Sequence, residues 1–189
     1  MRGRLRAVLA VFTLAAAAHA KEIAPFHVDL VVRWGHGAGS DAFRDELARV
    51  MAETLVSGCF AHVEIVDQAP VDSGAELVYT VILSDVVDET RFDDTIAGAL
   101  QPGEPTQELR RVAHFEVAAD ATLQSSANGA LIHRKHVLAH TYRRPIYVGE
   151  DPQAVAREEA TRDVVDTLMK SLGCGRDKLV RKIHEALPH

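Results

Sequence analysis

The sequence predicts an α+β protein, with a mostly antiparallel sheet of about five strands and two main helices on one face, in the order β-α-β-β-β-β-α. Three observations predict it. Apolar and polar residues alternate with period 2 in several runs, two longer segments repeat apolar residues at helical spacing, and Asn128-Gly129 joins the two clearest alternating runs of the second half.

Phe26, Val28, Leu30, Val32 and Trp34 alternate with His27, Asp29, Val31 and Arg33, which predicts the first strand. Gly35-His-Gly-Ala-Gly39 turns the chain, and Ser40 is placed to cap a helix through its hydroxyl. Phe43, Leu47, Val50, Met51, Thr54 and Leu55 then form one stripe opposite Arg44, Asp45, Arg49 and Glu53, and the helix ends at Gly58. Phe60 to Val66 and Leu77 to Val87 read as the second and third strands, joined through Pro70, Asp72, Ser73 and Gly74. The polar stretch Asp88 to Gln107, with Gly98, Pro102, Gly103 and Pro105, reads as an excursion between strands.

The strongest pattern follows. Ala113, Phe115, Val117, Ala119, Ala121 and Leu123 alternate with His114, Glu116, Ala118, Asp120, Thr122 and Gln124, a long strand with one buried face. Asn128-Gly129 signals a hairpin, because both residues tolerate the positive φ of tight turns, and the partner strand runs from Ala130 to about Tyr142. Asp151-Pro152 starts the last main helix with a cap and an N1 proline. Ala156, Ala160, Val164, Leu168 and Leu172 carry that helix to Gly173, and a short basic amphipathic tail, Arg176 to Leu187, follows.

The first twenty residues read differently. Arg2, Arg4 and Arg6 precede the apolar run Ala7 to Ala15, and Ala18-His19-Ala20 supplies small residues at the −3 and −1 positions of a signal-peptidase site. The run is shorter than the roughly 20 apolar residues of a membrane anchor. Residues 1–20 are therefore expected to be a cleavable secretory signal, and 21–189 a single exported domain in the periplasm or outside the cell. Cleavage removes three arginines and no acid, so the net charge of −6 becomes −9 over 169 residues. That balance argues against nucleic acid or an anionic membrane surface as the main partner.

Cys59 and Cys174 are the only cysteines, and each follows a predicted helix end, in Val56-Ser-Gly-Cys59 and Ser171-Leu-Gly-Cys174. In an oxidising compartment they are expected to form a bridge across a very long loop. The alternative is two independently buried thiols. No C-x-x-C pair is present to suggest redox chemistry.

The helix-final Gly58-Cys59-Phe60, the Val63 to Val66 strand, the long antiparallel hairpin and the C-terminal helix, following an export signal, carry a resemblance. The layout resembles the small α+β domains of bacterial envelope assembly factors: the TolB N-terminal domain, CsgG-like proteins and the penicillin-binding-protein activator lipoproteins. The resemblance covers most of the chain, is architectural, and carries no functional residue across. This chain departs from the lipoprotein members in having no Cys at the cleavage point. The resemblance implies protein binding or scaffolding rather than catalysis.

Four groups of residues are candidate sites. Tyr142, Arg143, Arg144, Pro145 and Tyr147 concentrate the residue types enriched at protein interfaces and form the candidate partner surface. Gly35, Gly37, Gly39 and Ser40 lie between a strand and a helix N-terminus, a position that favours an anion, although the run is neither a dinucleotide fingerprint nor a P-loop. Asp88, Glu89, Asp93 and Asp94 form an acidic stretch able to offer oxygens to calcium without an EF-hand spacing. His133, His136 and His140 are dense, but on a strand His136 and His140 stand roughly 13 Å apart and His133 points to the other side. No nucleophile elbow is present, and no cofactor is implied. The expected function is an exported, non-enzymatic protein-binding or envelope-assembly accessory domain. The alternative is a periplasmic small-anion or metal-binding protein.

Overall fold

The computed structural model describes residues 24–36, 39–68, 74–92 and 110–188. The expected signal peptide, Gly37, Asp93 and Asp94 lie outside the described residues. Five strands, β1 (Ala24–Trp34), β2 (Phe60–Ile65), β3 (Leu77–Phe92), β4 (Arg111–Ser125) and β5 (Leu131–Arg143), form one sheet in the order β2-β1-β3-β4-β5. Among the described residues three helices accompany it: α1 (Asp41–Gly58), α2 (Pro152–Leu172) and α3 (Asp177–Ala186).

The sheet is mixed. β1 pairs in parallel with both β2 and β3, and β3-β4-β5 continue antiparallel. The parallel pairing follows from connectivity, because a helix between two neighbouring strands returns the chain to the end from which it started. α1 makes that crossover between β1 and β2.

Alternation decides what is buried. Every core-facing residue of β4 from Ala113 to Leu123 is at most 1% exposed, as are Leu77, Tyr79, Val81 and Leu83 of β3. α1 and α2 cover this face, with Phe43, Leu47, Met51 and Leu55 from one and Ala156, Ala160, Val164 and Leu168 from the other. Alanines at 113, 119 and 121 of the sheet and at 156 and 160 of α2 leave room for a close approach of helix to strand. The Phe115 ring lies 4.9 Å from that of Phe43, and Phe43 lies 6.4 Å from Trp34, so one aromatic chain joins β4, α1 and β1.

Asp151 caps α2 as expected: its carboxylate accepts from the Gln153 N–H at 3.0 Å, with Pro152 in the first turn. Gly173 ends α2 at φ 72°, a left-handed backbone for which glycine carries no Cβ penalty. The chain thereby turns directly into Cys174. Cys59 and Cys174 form a disulfide with a Cα–Cα distance of 4.7 Å, tying the C-terminal ends of α1 and α2 together.

Three local expectations are corrected. Ser40 stands at the N-cap but makes no side-chain capping bond; its carbonyl accepts from the Arg44 N–H. At the hairpin only Gly129 takes a positive φ, while the Asn128 carboxamide oxygen accepts from the Ala130 N–H and closes the turn locally. β3 runs on through the polar residues 88–92, because each inner charge has a partner from another element. Asp88 accepts from Arg157 at 2.6 and 3.0 Å and from Gln153, and Thr90 donates to Gln153 at 2.9 Å. A bulge at Asp85, which takes φ 53°, separates the two halves of this strand.

Candidate functional site

With the helices on one face, the other face of the sheet presents the remaining half of each alternation, polar at most positions but with Val31 and Ala118 buried on it. Three His-x-acid triplets lie on it, His27-Val-Asp29, His62-Val-Glu64 and His114-Phe-Glu116. Period 2 sets each histidine and its carboxylate on the same side. Register then assembles them into two clusters at opposite ends of the sheet.

In the first, His27 is aligned with His62 and Asp29 with Glu64 across the parallel β1-β2 pair. The two imidazoles meet edge to face with centroids 4.3 Å apart. His27 Nε2 lies 3.9 Å from Glu64 Oε2 and 4.0 Å from Asp29 Oδ1. One donor atom from each of His27, His62 and Glu64 falls within 4.8 Å of the others. Asp29 is 0% exposed, and neither of its carboxylate oxygens has a hydrogen-bond partner.

In the second, His114 and Glu116 of β4 face Tyr142 and His140 of β5. Tyr142 stacks on the His114 ring at 4.5 Å with planes 6° apart. His114 lies 3.3 Å from Glu89 and 3.5 Å from Glu116, and the His114 bond, with Arg91, holds the Glu89 carboxyl below its usual range. The His114 Nε2 is buried and, like that of His27, has no hydrogen-bond partner.

The expected partner segment divides between faces. Tyr142 is on the open face and 60% exposed, whereas Arg143 points to the helix side, 3.7 Å from Glu150 and 3.5 Å from Glu159. Glu150 also accepts from the Ile146 N–H at 2.6 Å, and its own N–H donates to the Tyr147 carbonyl. With the carboxylate folded inward, Ile146, Tyr147 and Val148 are turned outward at 73%, 64% and 49% exposure. On β5, Leu138 is also exposed, at 56%, with His140 between it and Tyr142 on the same face. Arg144 is exposed and Pro145 is half-buried.

The glycine turn is shaped by close packing. A Cβ at Gly35 would lie 2.7 Å from the Ile82 side chain, and one at Gly39 would collide with the Trp34 indole. Asp88 and Glu89, as strand neighbours, go to opposite sides of the sheet and are not brought together. The groove between α1 and α2, about 650 Å³, is lined by Arg49, Arg157 and Arg162. Each of these is paired, with Glu46 and Glu53, with Asp88 and with Glu158, so no charge of one sign accumulates there.

His136 and His140 share the open face, as their spacing predicts, and His133 lies on the helix side, 3.1 Å from Ser171 Oγ. Burial first, then Lys182 and Lys135, hold the His133 imidazole below its ordinary pKa of 6.5. Protonation is therefore harder in the folded than in the unfolded chain. His133 leaves stability unaffected at higher pH and erodes it as the pH falls below about 6.5. Thermal melts from about pH 7.5 to 5 should show a decline that His133→Gln flattens; an equally steep decline in the variant would contradict this.

Sequence reasoning missed both sets, His27 with His62 and Glu64, and His114 with Glu116 and His140. The repeated His-x-acid triplet was the available signal; the strand order that joins the first two was not.

Among the described residues, no helix is long and apolar enough to cross a membrane. No protein-family model matches the chain, and no curated protein sequence matches it. Solved structures do share its fold. It is similar to a Xanthomonas campestris protein of the DUF330 family, with TM-score 0.51 and 14% identity over 88% of this chain and 91% of that one. It is likewise similar to a Helicobacter pylori protein described as a homolog of a neuraminyllactose-binding hemagglutinin, with TM-score 0.50 and 14% identity over 87% and 91%. At these identities the likeness is one of fold: an α+β domain whose five-stranded mixed sheet is covered on one face by helices.

Proposed function

We propose that this chain is an exported accessory protein of the cell envelope that binds another protein through the rim formed by Tyr142, Ile146, Tyr147 and Val148. On this reading residues 1–20 are removed on export, and 21–189 is one domain acting in the periplasm or beyond. The Cys59–Cys174 bridge supports an oxidising compartment. The observation that carries the proposal is the 146–150 turn. Glu150 holds the backbone from inside while three consecutive apolar side chains face water, and exposed Tyr142 ends the edge strand that leads into the turn. Hydrophobic side chains scattered singly on a surface need no explanation, but three consecutive exposed aromatic and aliphatic residues fit a protein contact.

Replacing Tyr142 and Tyr147 together by serine leaves the melting temperature near wild type, because both side chains are exposed. Tagged protein recovered from envelope extracts should bring down one partner, and the double variant should recover it about tenfold less well. Equal recovery by both proteins would overturn the proposal.

A further inference from the structure

We infer that His27, His62, Glu64 and Asp29 form a binding site for a divalent transition-metal ion of the zinc class, independent of the partner rim at the far end of the sheet. A carboxylate removed from water with neither oxygen hydrogen-bonded, as that of Asp29 is, is strongly disfavoured unless a cation accompanies it. Its register partner, Glu64, adds a second carboxylate rather than a cation. The groups that complete the patch are two imidazoles, and His27 Nε2, also without a hydrogen-bond partner, points between the two acids at 4.0 and 3.9 Å.

Two imidazole nitrogens and the Glu64 carboxylate, with the buried Asp29 carboxylate 4.0 Å from His27, suit zinc and its neighbours in the first transition row, whereas calcium takes six or more oxygens. Donor atoms around one tetrahedral zinc stand roughly 3.3 Å apart. The donor atoms of His27, His62 and Glu64, all within 4.8 Å of one another, are near enough for rotation of these side chains to bring them onto one ion. His62 and Glu64 lie exposed on the edge strand β2, which gives an ion a route in. The His114 cluster is the weaker candidate, since Tyr142 covers the ring, Glu89 takes its Nδ1, and no carboxylate there is buried without a partner as Asp29 is.

Calorimetric titration of the purified, disulfide-bonded protein with zinc chloride after chelator dialysis tests this. The expected result is one site, weakened by about tenfold to a hundredfold in His62→Ala and in Asp29→Asn, and unchanged in His140→Ala. Zinc should also raise the melting temperature of wild type but not of Asp29→Asn. The metal-free Asp29→Asn protein should melt higher than metal-free wild type, because the amide carries no buried charge. Absence of zinc binding, binding unaffected by His62→Ala, or binding lost only in His140→Ala would overturn the assignment.

Discussion

Replacing Cys59 and Cys174 together by serine destabilises the protein by about 2–5 kcal/mol, a larger effect than that of any surface substitution. Two features make this bridge important. It spans 115 residues, so it removes much of the loop-closure freedom of the unfolded chain, and it joins the ends of the two helices that cover the sheet. Cys59 is 2% exposed, and its carbonyl accepts from the Ala24 N–H, so the start of β1 is fastened at the same corner. For a domain of this size the loss lowers the melting temperature by roughly 5–15 °C. Melts with and without reductant check it: wild type under reductant and the double serine variant should coincide, and an unshifted variant would contradict the account.

Phe115→Ala should cost about 3–5 kcal/mol with the bridge intact. Its ring is 1% exposed and touches Phe43, so truncation leaves a void where β4 meets α1. The neighbours cannot fill it readily, because the positions beside it on β4 and α2 are largely alanine. Phe115→Leu, which keeps most of the volume, should lose less than half as much. Urea unfolding separates the two, and equal losses would show that the site collapses around the smaller side chain.

How much of this was legible in the sequence depends on the range of the interaction. The strands β1, β2, β4 and β5, both long helices and the cap at Asp151 follow from local periodicity, and the structure places them within a few residues of expectation. The extension of β3 was not legible, since Asp88 and Thr90 are acceptable in a strand only because Arg157 and Gln153 arrive from more than sixty residues away. Ser40 read as a capping side chain, and it takes the N-cap position, yet its hydroxyl makes no capping bond.

The candidate sites divide in the same way. Alternation alone separated His133 from His136 and His140. It also implied that Arg143 and Tyr142 face opposite sides, although their proximity in sequence suggested one surface. The His27 and His62 pairing required knowing that β1 lies between β2 and β3, an order that no local pattern specifies. Buried Asp29 carried no signal of its own, because an aspartate on the polar half of an alternating strand ordinarily faces water.

The central claim is that the 146–148 rim meets a protein partner outside the cytoplasm. It is tested most directly by a photo-crosslinking residue at Tyr147, with the same residue at exposed Glu53 on α1 as control, in cells exporting the protein. The account predicts one discrete adduct from position 147, of the same size in every preparation, and none from position 53. Adducts of equal yield from both positions, or none from position 147 in protein shown to be exported, would contradict it.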